Sequence, residues 1–265
     1  MGQPPQLAEQ PKTEEAPVPL TPKAHWALWL WRQIRPLIIL VLIMCAVRSS
    51  LADWNDVPTG SMKPSILEGD RIFVNKLAYD LKVPFFPLNS TWRIATWSAP
   101  KQGEIVVFLK PGDGTRLVKR CIAGPGDTVE VRDNRLLVNG QECKYGPLDP
   151  KYRAQVSPDE RSGYTYREET MPGGRVHPML EIPHLSPFSP VEQDRERMRN
   201  FGPVGPLGPD QFWMMGDNRD NSGDSRVFGV VDRSLILGRA TYVAFSVDLN
   251  HNWAPRWSRF FTKLP

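Results

Sequence analysis

Between Trp26 and Trp54 the chain reads WALWLWRQIRPLIILVLIMCAVRSSLADW. Its uninterrupted apolar core, Leu37 to Val47, is short. Taken from Ile34 to Trp54 it gains length, and roughly 31 Å of helix is enough to cross a bilayer. Arg48, near the far end, can snorkel to the interface. Trp26, Trp29 and Trp31 suit one interface and Trp54 the other. Lys12, Lys23, Arg32 and Arg35 precede the core, and only Arg48 follows it before Ser61. The positive-inside rule then puts the N-terminus in the cytoplasm and the rest of the chain outside. A buried core helix competes because the apolar core is short. A cleavable signal peptide fits less well, since the basic region is long and no good A-x-A site follows.

The span divides the chain. Residues 1–24 are polar and proline-rich, and little apolar surface offsets their chain entropy, which predicts a disordered tail. After residue 55 the pattern changes to short β-rich runs: 71–79, 104–110, 116–123, 128–132, 135–140, 211–216 and 238–247. Turn signals separate them, as in Lys110-Pro-Gly-Asp-Gly114 and Gly124-Pro-Gly-Asp127. Residues 141–209 are rich in proline and charge and read as an insertion, with a short exposed helix over 192–200. The expected organisation is a tail and juxtamembrane segment (1–33), a transmembrane helix (34–54), a β-domain in two parts (55–140 and 210–265), and a smaller, irregular inserted region (141–209). The fold class is therefore mainly β: an N-terminal anchoring helix followed by an antiparallel sheet domain.

Composition removes some function classes. A formal charge of +4 is mild, and no basic stripe with interleaved aromatics marks a nucleic-acid partner. The chain has no CxxC, so neither a zinc nor a thioredoxin-like site is expected. Cys45 reads as a small buried hydrophobe. Sequence leaves open whether Cys121 and Cys143 pair. The histidines His25, His177, His184 and His251 are scattered, none in a serine or cysteine motif, which argues against a Ser-His-Asp hydrolase.

Three segments carry chemistry. Val57-Pro-Thr-Gly-Ser-Met-Lys-Pro-Ser65 sets Ser61 on a stiff, tightly turning backbone, which can present Oγ beside free N–H groups as an acyl-transfer nucleophile requires. Its bland alternative is an ordinary Gly-Ser turn. In Leu117-Val-Lys-Arg-Cys-Ile-Ala123, Lys119 and Arg120 point to opposite faces of a strand. A lysine aimed into an apolar interior loses hydration and pKa, as a lysine general base needs; its alternative is a snorkelling lysine at a strand edge. Lys63, two residues from Ser61, is expected in solvent. The third segment, Met214 to Gly229, is dense in Asp, Asn, Ser and Arg. A calcium loop starting at Asp220 fails because its sixth place is Ser225 and no glutamate closes it. A network bracing a site fits better, with Asp224 pairing Arg226 and Ser222 orienting a neighbour.

In this order, beside a span, the three segments resemble the bacterial type I signal peptidases (leader peptidases), over roughly residues 30–140 and 201–247. The resemblance implies a Ser–Lys endopeptidase with Ser61 as nucleophile and Lys119 as general base. It implies an oxyanion hole from the Ser61 N–H and Thr59 Oγ, a Ser222 hydroxyl on the catalytic lysine, and a supporting Asp224–Arg226 pair. Arg120 and Asp217 take structural roles. Val57, Pro58, Met62, Leu117 and Val118 match walls of a cleft where the substrate adds as a strand. The implied substrate is a secretory preprotein with small residues at −1 and −3, cleaved at the outer face of the bacterial cytoplasmic membrane. Membrane lipid is an implied partner; no cofactor, metal or nucleic acid is. Thr59 stands where many relatives have serine, and Trp54-Asn55-Asp56 replaces the usual apolar approach. The chain shows one convincing span where the enteric relative has two, and no role carries over to the insertion. A self-cleaving repressor of the SOS type would need a DNA-binding module where this chain has a tail and a span. The remaining alternative is a non-enzymatic membrane-anchored β-domain that binds exported polypeptides.

Overall fold

The computed structural model describes residues 22–83, 92–155, 163–182, 190–249 and 251–265. The chain falls into two compact units, Met1–Met44 and Cys45–Pro265. The disordered tail expected over 1–24 lies, for residues 1–21, outside the described residues; from Pro22 the chain is already helical.

One helix runs Pro22–Ser50, and Leu28–Ser50 within it is long and apolar enough to cross a membrane. Its isoleucines, its tryptophans and all its leucines but Leu30 are exposed, as is Cys45, which the sequence suggested would be buried. The helix is thus longer than 34–54 at its start and shorter at its end. Its end has a specific cause. Lys76 Nζ donates to the carbonyls of Arg48 (2.9 Å) and Ser49 (3.1 Å), satisfying groups a helix C-terminus leaves free. Asp53, fully buried, then meets Arg48 (3.0 Å), Lys76 (3.7 Å) and Arg116 (3.2 Å). A carboxylate with three cations belongs in a protein interior rather than in hydrocarbon. Residues Ala52–Asp56 accordingly form a strand, with Trp54 under the Arg48 guanidinium at 4.9 Å.

The strands, in chain order, are β1 (Ala52–Asp56), β2 (Asp70–Asn75), β3 (Asp80–Lys82), β4 (Arg93–Thr96), β5 (Ile105–Leu109), β6 (Arg116–Ala123), β7 (Val129–Arg132), β8 (Arg135–Val138), β9 (Gln141–Glu142), β10 (Lys144–Pro147), β11 (Thr165–Thr170), β12 (Val176–Glu181), β13 (Phe201–Val204), β14 (Gln211–Met215), β15 (Val231–Asp232), β16 (Ile236–Asp248) and β17 (Ala254–Pro255). The main sheet runs β1-β2-β16-β5-β6-β14-β15, with β17 also on β16, and every pairing in it is antiparallel. The strand expected over 71–79 stops at Asn75, where Lys76 turns inward to cap the helix.

The protein is mainly β, with an apolar N-terminal helix and a curled antiparallel sheet. Its core separates into three clusters. One, with Met62, Ile72, Val107 and Val118, lies under the serine segment. The others hold Cys143 with Trp213, and Cys121 with Phe212. Cys121 and Cys143 are free thiols in different clusters.

The insertion is not irregular. Strands β10, β11 and β12 form an antiparallel sheet of their own, the helix expected over 192–200 spans Pro190–Arg199, and β13 returns to pair with β7. Its end strands β9 and β13 belong to the sheet β13-β7-β8-β9, so the independent part is narrower than 141–209. Some of the polar residues that suggested a loop are interior: Glu169, His177 and Arg199 are all buried.

Candidate active site

Ser61 sits in a single 3-10 turn, Gly60–Met62. The turn is closed by Lys63 N–H donating to the Gly60 carbonyl at 3.0 Å. Met62, 1% exposed, anchors it from below in the core. The next residue does not enter solvent as expected: Lys63 is buried and pairs with Glu68 at 3.1 Å.

Lys119 lies near the middle of the main sheet, on β6 between β5 and β14. It is 3% exposed, and its Nζ is 2.5 Å from Ser61 Oγ. Burial brings the amine down from 10.5 to about 8; Asp224 and Asp217 oppose the fall and Arg226 adds to it. A neutral amine against a hydroxyl can accept its proton.

Strand alternation sends Arg120 the other way. Its guanidinium grips Asp217 twice, at 2.8 and 2.7 Å, and also reaches the Gly103 carbonyl. Ser65 Oγ donates to the same carboxylate at 2.5 Å. These groups tie the chain after Ser61 to the chain after β14.

The polar box folds around Asp224. Its buried carboxylate receives Arg226 Nε (2.9 Å) and Nη2 (2.8 Å), and the N–H groups of Gly216 (3.0 Å) and Arg226 (3.2 Å). Arg226 also donates to the Arg219 carbonyl at 2.6 Å. Desolvation would raise the Asp224 pKa, but Arg226 and these donors outweigh it and hold it low. Gly216 has no room for a side chain: a Cβ there would stand 2.5 Å from the Ser61 carbonyl oxygen and collide with Ser222 Oγ.

A cleft of about 540 Å³ opens over Ser61 and Lys119. Of the residues singled out from sequence, Pro58, Thr59, Leu117 and Ser222 also line it. Thr59 is exposed, and its hydroxyl does not cap the turn that follows. The buried Ser222 hydroxyl does not bond Lys119: it has no partner at hydrogen-bond geometry, although it lies close enough to Asp224 to favour the charged carboxylate. Val57, Met62 and Val118 are not walls of the cleft but core beneath it. Val118 alternates away from Lys119, and the tight turn drives Met62 inward. Glu68, Lys110, Asn221, Val227 and Phe228 line the cleft and were missed. Asn221, Val227 and Phe228 lie within the third segment, Met214 to Gly229, but nothing in the sequence marks Glu68 or Lys110 as cleft residues.

His177 was set aside with the scattered histidines, yet it is buried between Glu169 (3.1 Å) and Asp217 (3.7 Å). His184 lies outside the described residues, and His251 pairs with Asp248 on the surface.

A serine hydroxyl against a buried amine, in an open cleft on an antiparallel sheet, has the make-up of a hydrolase site. Residues 30–245 match the family model described as "Signal peptidase, peptidase S26". The chain is 31% identical over 219 residues to the signal peptidase I of Rickettsia typhi, covering 79% of this chain and 78% of that one. It is 30% identical over 238 residues to that of Rickettsia conorii, covering 86% and 82%. A crystal structure of a signal peptidase I from Enterococcus faecalis is similar at 28% identity and a TM-score of 0.33, covering 55% of this chain and all of that one. The chain belongs to the signal peptidase family, peptidase S26, and is a peptidase.

Proposed function

We propose that this protein is a membrane-bound endopeptidase that removes N-terminal signal peptides from exported preproteins at the outer face of the cytoplasmic membrane, through an acyl-enzyme on Ser61. The observation that carries this reading is the 2.5 Å approach of the buried Lys119 amine to Ser61 Oγ at the floor of an open cleft.

The geometry supports the following chemistry. Neutral Lys119 takes the Ser61 proton as Oγ attacks the scissile carbonyl. The negative oxygen of the tetrahedral intermediate is met by the Ser61 N–H, with the free Thr59 hydroxyl as second donor. The intermediate collapses as the protonated amine gives its proton to the leaving nitrogen. Water then enters, Lys119 accepts its proton, and the acid product leaves as Ser61 is reprotonated. Pro58 and Leu117 flank the path of an extended substrate. Asp224 and Arg226 hold the polar box rather than touch substrate. The reaction draws on no metal or cofactor.

The helix, with Lys23, Arg32 and Arg35 in its N-terminal part, supports this location. Ten residues lie between Ser50 and Ser61, a reach of at most about 40 Å, so the serine works near the membrane face. The test is cleavage of a purified preprotein by wild type and by Ser61→Ala, with the product N-terminus read by mass spectrometry. Processing by wild type alone, at one site after a small residue, is expected. Equal processing by both removes Ser61 from its role, and binding without cleavage by either favours a non-enzymatic binding domain. Protection of the C-terminal region from added protease in intact cells, with the tail digested instead, would reverse the orientation.

A further inference from the structure

Asn218 joins the nucleophile turn to the inserted sheet. Its backbone N–H donates to the Ser61 carbonyl at 3.1 Å, and its side-chain amide donates to the Gly60 carbonyl at 3.1 Å. It is 1% exposed and does not line the cleft, so it touches the turn without touching what the cleft holds. On its far side β12 brackets it: Leu180 N–H donates to the Asp217 carbonyl and Arg219 N–H donates to the Leu180 carbonyl, each at 2.9 Å. One hydrogen-bonded path thus runs from the insertion, through residues 217–219, to the residue carrying Oγ.

The side chain is poorly explained as mere stabilisation. Asn218 Oδ1 is buried with no partner, an arrangement that costs free energy. The amide cannot flip to relieve it, because Oδ1 would then face the Gly60 carbonyl, acceptor against acceptor. Nor does Gly60 depend on the amide, since its carbonyl also accepts from Lys63 N–H. What the amide adds is a second point of attachment, which fixes the rotation of the Gly60–Ser61 peptide and so the direction of Oγ.

We propose that Asn218 is a positioning residue for Ser61, and that the inserted strand β12 holds it in place. This rests on the reading of Ser61 and Lys119 as nucleophile and base.

The experiment compares wild type, Asn218→Leu, Asn218→Ala and Ser61→Ala, all full-length in the same detergent, on one purified preprotein. Leucine is nearly isosteric, keeps the backbone bonds, and removes both the amide clamp and the orphaned oxygen. Its melting temperature should equal or exceed that of wild type. Its kcat should fall at least about tenfold, because a small misplacement of a reacting atom is costly, with KM within about threefold. The pH midpoint of its rate should not move, because the charged neighbours of Lys119 are untouched. If leucine does not fold, alanine decides by the same readouts. A variant with wild-type kcat, or one whose loss of rate is matched by a loss of melting temperature, overturns the proposal. If Ser61→Ala still cleaves, the reading beneath it fails as well; if Ser61→Ala is inert while Asn218→Leu is fully active, only the positioning role fails.

Discussion

Arg219 of the polar box and Glu169 of the inserted strand β11 meet through two parallel hydrogen bonds, Nη1 to Oε1 at 2.9 Å and Nη2 to Oε2, with both side chains almost wholly buried. Burial would raise the Glu169 pKa; Arg219 and His177 reverse this and hold it well below the usual carboxylate range. The pair fastens the insertion to the box that borders the cleft.

Replacing Glu169 by glutamine should therefore cost about 3–5 kcal/mol, since it strands a buried guanidinium. Urea unfolding of the full-length protein in detergent measures this. Replacing both partners with apolar residues, Glu169→Leu with Arg219→Met, should recover much of the loss. A Glu169→Gln protein as stable as wild type would mean that the pair contributes little.

The same depressed carboxylate sets an acid limit. Its folded pKa lies below its unfolded value, so its contribution is fully present above the unfolded pKa, near 4.5. The contribution is lost as pH falls through the lower folded value. Melting temperature should fall as the medium is taken below pH 4.5, and Glu169→Gln should flatten that dependence.

How much of this was legible in the sequence differs by region. The opposed faces of Lys119 and Arg120 follow from strand alternation, and the structure has them so. The same alternation should have removed Val118 from the cleft wall, since it points away from Lys119. Met62 was misplaced because proximity to Ser61 in sequence says nothing about direction in a three-residue turn. The end of the helix at Ser50 depends on Lys76 and Arg116 reaching Asp53, partners that no local pattern reveals. The insertion was illegible for a related reason. Its interior positions include Glu169, His177 and Arg199, which read as surface until their partners Arg219, Asp217 and Asp220 are in place.

Gly216→Ala should abolish cleavage. Its Cβ would press on the Ser61 carbonyl oxygen at 2.5 Å and on Ser222 Oγ. Ser222 can rotate, but the Ser61 backbone is held by Asn218 and cannot yield without moving Oγ. A loss of at least about a hundredfold in kcat is expected from such a displacement, with KM less affected. Single-turnover cleavage separates the two, and a rate within tenfold of wild type would show that the turn tolerates the shift.

Activity should depend on pH through one amine. With Lys119 near 8, about a tenth of the protein holds it neutral at pH 7. The rate constant kcat/KM should rise about tenfold per pH unit below that value and level off above it. Asp224 favours the charged amine, so Asp224→Asn should move the midpoint downward. A profile flat from pH 6 to 9 would exclude titration of Lys119 from the rate.

Lys119→Met should be inactive and yet more stable at neutral pH. The folded pKa, about 8, lies below the ordinary 10.5. Between those values the unfolded chain binds more protons, so this lysine's contribution to stability improves as pH rises across that window. Below pH 8 its full penalty stands, on the order of 3 kcal/mol. Methionine occupies a similar volume, carries no charge to desolvate, and leaves Asp217 and Asp224 with their own arginines. The variant should melt above wild type at pH 7, and the difference should shrink toward pH 10. A methionine variant that melts lower at pH 7 would mean that the amine is comfortably solvated where it stands, and so charged and unfit to take a proton from Ser61.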